Sequence, residues 1–162
     1  MNASHPDRLA LALELQALYA EYCACIDECR YSDWPGFFTA DCTYKVIPRE
    51  NFDRGLPLAT LAFESRRMLE DRVFGITQTL FHAPYYQRHI VSGIRITHVE
   101  HDRVHAQANY LVIRTRQNEH SEVFNAGRYI DVVLREQEQL RFQERCCVFD
   151  SELIPNSIIY PI

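Results

Sequence analysis

A chain of 162 residues, 47% hydrophobic and 24% charged, suits a single domain that buries about two thirds of its unfolded surface, and it excludes wholesale disorder. A net charge of −5 with arginines spread along the chain without a basic run argues against nucleic-acid binding by phosphate neutralisation. No stretch reads as a membrane span, and the opening MNASHPDRLALALELQ lacks the basic start and unbroken apolar core of a secretory signal, so the expectation is a cytoplasmic protein whose six cysteines stay thiols.

Ser4-His-Pro-Asp7 fits a capping pattern with proline in the first turn and predicts a helix to about Cys29. Leu11, Leu15, Leu18, Tyr22, Cys25 and Cys29 alternate four and three apart, which makes one apolar stripe. Asp33-Trp-Pro-Gly-Phe-Phe38 predicts a short second helix whose rings plug the end of the core, and Cys42, Tyr44 and Val46 alternate as in a strand. Arg49 to Gly55 reads as a polar loop. Pro57 can open a further helix, with Leu58, Leu61, Ser65, Met68 or Leu69, Val73, Ile76 and Leu80 at helical spacing and Arg66/Glu70 and Arg67/Asp71 as outward pairs.

From residue 88 the character changes to β. His89–Glu100, Arg103–Arg116, Glu122–Arg135 and Leu140–Ser151 are rich in β-branched and aromatic residues with turn chemistry between them. Helices first and four long strands after predict an α+β domain over residues 1–162, a curved and mostly antiparallel sheet wrapped around the helices as a cone. Gly93 and Gly127 fall inside strands, where they are expected to mark bulges. The closing stretch FDSELIPNSIIYPI is apolar yet interrupted by prolines, so something must cover it.

Chemistry-bearing patterns are sparse. The Cys-x-His and Cys-x2-His pairs of a Rieske cluster are absent. His82 and His89 flank a Pro-Tyr-Tyr turn without an evident carboxylate partner for mononuclear iron. His98, His101 and His105 have helical spacing, but the segment reads as a hairpin in which their rings are expected to diverge. Nucleophile elbows, phosphate loops and zinc-protease helices are also missing. Acid–base chemistry is left open: Asp41, Tyr44, His89, Tyr110 and Asp131 could line a pocket in the cone and serve a free-standing isomerase or dehydratase. The competing reading has these tyrosines filling the core and the aspartates pairing with arginines. Arg72, Arg88, Arg95, Arg128 and Arg145 lie among apolar neighbours and need carboxylate or carbonyl partners if buried.

As a set, Trp34–Cys42, Met68–Val73, Arg88–Ile96, Asn125–Asp131 and the tail resemble the small, or beta, subunits of Rieske-type aromatic-ring-hydroxylating oxygenases. Pro48–Leu56 and Tyr85–His89 are most similar to the small subunit of salicylate 5-hydroxylase. The resemblance implies a cystatin-like fold, shared with nuclear transport factor 2 and SnoaL-like proteins. It also implies a chain with no catalytic, cofactor-binding or metal-binding residues of its own. The Rieske [2Fe–2S] cluster and mononuclear Fe(II) are then expected in a partner large alpha subunit, in an α3β3 assembly with a trimeric beta core. Electrons would come from NAD(P)H through a ferredoxin and reductase, for hydroxylation of an aromatic carboxylate such as salicylate. Tyr85, Tyr86, Arg88, Tyr160 and Ile162 are the expected interface residues. Gly93 departs from the Asn of many relatives.

Overall fold

The first helix, α1 (His5–Asp27), opens a computed structural model that describes residues 5–153 and 157–162, with side chains from residue 8. The expected cap at Ser4 lies outside the described residues. The buried stripe of α1 is Leu15, Tyr19, Tyr22, Cys23, Cys25 and Ile26, while Leu11 and Leu18 are only half-buried at its edge. The helix ends before Cys29. Arg30 N–H bonds the Cys25 carbonyl at 2.8 Å and Cys29 N–H that of Ile26 at 3.0 Å, with Cys29 left-handed at φ 59°. This Schellman-type stop turns Cys29 out into solvent, away from Cys25. Contrary to the expectation from sequence, Arg8–Asp27 is long and apolar enough to cross a membrane by length and composition, with hydropathy 1.4. Only about a third of that stretch is buried, and Leu9 and Leu13 within it are exposed.

A 3-10 turn at Trp34–Phe37 leads into β1 (Phe38–Pro48), where Cys42, Tyr44 and Val46 are fully buried. The next stretch departs from expectation twice. Arg49–Asp53 is a short helix, α2, not a loop. The helix expected from Pro57 starts only at Arg66, because Leu61–Phe63 forms an edge strand, β2, against Tyr44–Val46. Thr60 N–H bonds the Val46 carbonyl and Asn51 holds the Leu58 carbonyl, both at 2.8 Å, so sheet pairing outcompetes helical spacing and leaves Leu58 exposed. Helix α3 (Arg66–Phe74) is then capped by the Ser65 hydroxyl, which accepts from Met68 N–H. A π-helical turn, Gly75–Thr79, follows. Arg66 does not stay outward but donates to the Phe38 carbonyl.

Four long strands complete the sheet: β3 (Tyr85–Glu100), β4 (Arg103–Arg116), β5 (Glu122–Glu136) and β6 (Gln139–Phe149). Their order is β2-β1-β6-β5-β4-β3. All neighbours run antiparallel except β1 and β6, which pair in parallel. The sheet is therefore mixed, because β1 belongs to the first half of the chain and returns beside the last strand. Gly93 does mark a bulge: it has φ +63° and the β3–β4 register shifts between Ser92 and Arg95. Gly127 does not. It pairs in register with Tyr110 and Phe149, and a Cβ there would sit 1.9 Å from the Val148 carbonyl oxygen. Its role is close strand approach. α1 lies along the concave side, against β3 and β6, and encloses Trp34, Phe38, Tyr44, Tyr129 and Phe142. Each such side chain gains at most about 1.5–3 kcal/mol from burial.

Candidate functional site

At the centre of the cone sits a buried ion pair. Asp131 on β5 and Arg145 on β6 are cross-strand partners with side chains at 0% exposure. Arg145 Nε donates to Oδ1 at 3.1 Å and Nη2 to Oδ2 at 2.8 Å, and the Tyr19 hydroxyl donates to the same Oδ2. The guanidinium carbon lies 3.8 Å from the ring centre of Phe142, 4.1 Å from Tyr129, 4.2 Å from Tyr22 and 4.8 Å from Tyr19. Burial pushes the Tyr19 and Tyr22 hydroxyls well above the ordinary phenol range. Burial alone would lower the Arg145 guanidinium, but the Asp131 carboxylate more than offsets it and holds the group well above its ordinary value. Both carboxylate oxygens are engaged, so Asp131 is arranged as a structural anion.

The tail closes the same interior. Tyr22 and Tyr44 hydroxyls donate to the Ile162 carbonyl oxygen at 2.8 and 3.3 Å, and Ile162 N–H donates to the Tyr44 oxygen at 2.9 Å. Tyr160 stacks on Tyr31 with centres 4.9 Å apart, and its hydroxyl lies 2.7 Å from His82 Nε2. Arg72 donates to the Ile158 and Ile159 carbonyls at 2.9 and 2.8 Å. Ile158, Tyr160 and Ile162 are buried by the chain itself, whereas Leu153 is exposed; Ile154 to Asn156 lie outside the described residues. Two of the arginines singled out in the sequence thus have buried partners. Arg95, Arg128 and Arg88 instead meet Gln107, Asp53 and Asp27 at or near the surface.

The five pocket candidates do not converge on one open site. Asp41 is exposed. Tyr44 serves Ile162, Asp131 serves Arg145, and Tyr110 donates to Asn125 Oδ1 at 2.6 Å. His89 is paired elsewhere, with Asp27 at the end of α1: its Nδ1 lies 2.6 Å from Asp27 Oδ1, and its backbone N–H bonds the same carboxylate at 2.9 Å. Asp27 was not singled out in the sequence, although an acid in a helix's last turn opposes the dipole and is itself a signal. The pair borders a groove of about 330 Å³ between α1 and β3, lined in part by Gln16, Ala20, Cys23 and Ile94. An aspartate orienting an imidazole can support base chemistry, but here the carboxylate also caps a backbone donor of edge strand β3, which ties α1 to the sheet.

Among the described residues, no three thiols bring their sulfurs within 4.8 Å of one another. Cys23, Cys25, Cys42 and Cys147 are buried, and burial pushes Cys23 up to about 12 and Cys25 and Cys42 up to about 11. At the tip of β3 and β4 the expectation of divergent histidines fails. His98 and His105 are directly opposed in the ladder, and their rings stack at 3.8 Å with 13° between planes. Antiparallel partners project to one face, an effect of register that spacing alone does not reveal. His101 occupies the turn at φ 55°, but Glu100 joins the pair. Among the described residues, His98, Glu100 and His105 are the one group of three potential ligands whose donor atoms lie within 4.8 Å of one another.

Of the expected interface residues, Tyr85, Tyr160 and Ile162 are interior, because Tyr85 and Tyr160 pack ring against ring at 4.6 Å and Ile162 is tied to Tyr22 and Tyr44. Tyr86 and Arg88 point outward at 75% and 71% exposure. They share the convex face with exposed Ile90 and Val123, since Ile90 opposes Leu111, and Arg88 opposes Ile113, which in turn opposes Val123. That stripe is mostly apolar around Arg88 and continuous across three strands, with its β4 members Leu111 and Ile113 half-buried.

Residues 7–146 match the SnoaL-like domain family. The chain is 34% identical over 149 residues to the anthranilate 1,2-dioxygenase small subunit of Burkholderia cepacia, covering 92% of both chains. It is 30% identical to subunit beta 2 of the terminal oxygenase component of a Comamonas terephthalate 1,2-dioxygenase, over 93% of this chain and 97% of that one. A crystallised chain from Novosphingobium aromaticivorans, ascribed to the beta subunits of aromatic-ring-hydroxylating dioxygenases, superposes with a TM-score of 0.87 at 34% identity, covering 95% of this chain and 98% of that one.

Proposed function

The chain belongs to the small, or beta, subunits of aromatic-ring-hydroxylating dioxygenases, and from that premise we propose that it is a structural subunit that organises large, iron-bearing alpha subunits and performs no chemistry alone. One observation carries this reading. The interior where a free-standing enzyme of this fold would hold substrate is filled by the chain itself, with Asp131 locked on Arg145 inside an aromatic cage and Ile162 seated on Tyr22 and Tyr44. The adhesive surface is on the outside, where Tyr86, Ile90 and Val123 stand exposed. Exposed apolar surface of this continuity is a marker of protein contact, and permanent complexes commonly bury more than about 2,000 Å².

In this reading the beta subunits form the trimeric core of an α3β3 particle in the cytoplasm. The alpha subunit carries the Rieske cluster and the mononuclear iron and draws electrons from NAD(P)H through a ferredoxin and reductase. The substrate class is an aromatic carboxylate, supported by anthranilate and terephthalate in the names of the relatives; salicylate is our specific candidate. The test is co-expression with a large-subunit gene of the same family, followed by light scattering and turnover of salicylate, anthranilate and benzoate. A mixed oligomer with activity found only in the presence of the large subunit is expected. A small oligomer of this chain that turns over an aromatic substrate unaided would overturn the proposal.

A further inference from the structure

The β3–β4 hairpin places two imidazoles and a carboxylate together on exposed backbone whose geometry is already fixed. His98 and His105 are ladder partners, Glu100 lies two residues along β3 and so on the same face, and the Thr97 hydroxyl donates to the His105 carbonyl at 3.1 Å. His105 Nε2 is buried and has no hydrogen-bond partner, an arrangement that native structures normally avoid or use. We propose that His98, Glu100 and His105 form a binding site for a divalent first-row transition ion of the zinc class.

The donor set decides the class. Two imidazoles suit zinc and its neighbours, whereas calcium and magnesium require mostly oxygen ligands. Two histidines and one carboxylate also hold non-haem ferrous iron. Raw affinity in the first-row series peaks at copper(II), so the donor set fixes the class of ion and zinc serves as its redox-silent probe. A tetrahedral ion with bonds of about 2.0–2.1 Å needs its donors about 3.3 Å apart. The donors already lie within 4.8 Å, so side-chain rotation can close the difference without moving strands. The rotation must also open the parallel stack, because each in-plane lone pair has to aim at one common point. His98 and Glu100 are exposed, which leaves water to complete the shell. Bound there, the ion would clasp the outer end of edge strand β3, the strand that carries Tyr86, Arg88 and Ile90.

The test is calorimetric titration of the chelator-treated full chain with zinc chloride, with cobalt substitution read by its visible absorption bands. Expected are one zinc per chain and at least tenfold weaker binding in His98→Ala, whose side chain is exposed and whose loss leaves folding intact. Glu100→Gln should weaken binding less, and His101→Ala should leave it unchanged. His105→Ala, checked for its unfolding midpoint, should match His98→Ala. Absence of zinc binding at millimolar metal, or binding that survives in His98→Ala, would overturn the assignment and locate any observed zinc at the thiols instead.

Discussion

Replacing Arg145 by Met removes one member of the pair at the centre of the cone and leaves Asp131 buried at 0% exposure with the Tyr19 hydroxyl as its remaining partner. Breaking a buried ion pair from one side costs about 3–5 kcal/mol, because the remaining group is uncompensated. For a domain of this size each kcal/mol moves the melting temperature by about 2–4 °C, so a fall of roughly 6–20 °C is expected. Asp131→Leu should cost a similar amount, since it strands the guanidinium among four rings. The double variant distinguishes anchor from ornament. With both charges gone the site is an apolar cavity lined by Phe142, Tyr129, Tyr22 and Tyr19, and such replacements are often near neutral. One orphan persists, the Tyr19 hydroxyl, and Tyr19→Phe added as a third change should recover about another 1 kcal/mol. Urea unfolding with an unchanged slope is the assay. A loss below about 1 kcal/mol in Arg145→Met, or a double variant as unstable as the sum of the singles, would refute the reasoning.

Gly127→Ala should destabilise by at least about 3 kcal/mol, since its methyl carbon would meet the Val148 backbone at 1.9 Å; Gly93→Asn should stay within about 1 kcal/mol, because Asn tolerates the left-handed φ of +63°, and thermal unfolding of both compares them directly. Removing Tyr160–Ile162 should cost at least about 3–6 kcal/mol from the lost burial of Tyr160 and Ile162 alone, with Pro161 buried beside them, and raise hydrogen exchange at the Tyr44 end of β1. Iodoacetamide at neutral pH should label Cys29 first, since it is the exposed thiol, and the buried ones only after unfolding. The folded chain keeps Cys23 protonated up to about 12 against an ordinary 9.0, while the unfolded chain releases that proton sooner. Stability is therefore fully present below about pH 9 and falls as pH rises towards the folded value, by at most about 1.4 kcal/mol per pH unit for this thiol; denaturant midpoints should hold level to about pH 9 and then decline to about pH 11.

The long elements were legible because burial repeats along them. Four strands from β3 to β6 carry enough β-branched and aromatic residues to be placed within a few positions, and α1 carries its stripe through Leu15, Tyr22 and Cys25. The stretch from Arg49 to Leu80 misled for an identifiable reason. Leu58, Leu61, Leu69 and Ile76 have helical spacing, but β1 presents an open edge at Tyr44–Val46, and Leu61–Phe63 supplies the backbone partners it needs. That requirement is tertiary and leaves no local trace. The expected helix runs on to Cys29 because a cysteine, with neither the glycine nor the asparagine signature of a helix stop, takes the left-handed position.

At the site, partnerships across the sheet were the hidden quantity. Asp131 and Arg145 were each visible as residues in need of a partner, yet only the β5–β6 register makes them answer one another. The same rule joined His98 to His105, whose rings the hairpin reading expects to diverge. It also sorted the tyrosines: alternation along β3 sends Tyr85 inward to Tyr160 and Tyr86 outward to solvent. A single step in register would exchange those two roles, burying the residue offered to a partner and exposing the one that holds the tail. The bulge at Gly93 lies downstream of Tyr86, so the outward stripe is fixed before the strand bends. Under the proposed function, recognition of the large subunit rests on the pairing of Tyr86 to Ile90 with β4, so a variant that shifts that register is expected to lose assembly even where every side chain is retained.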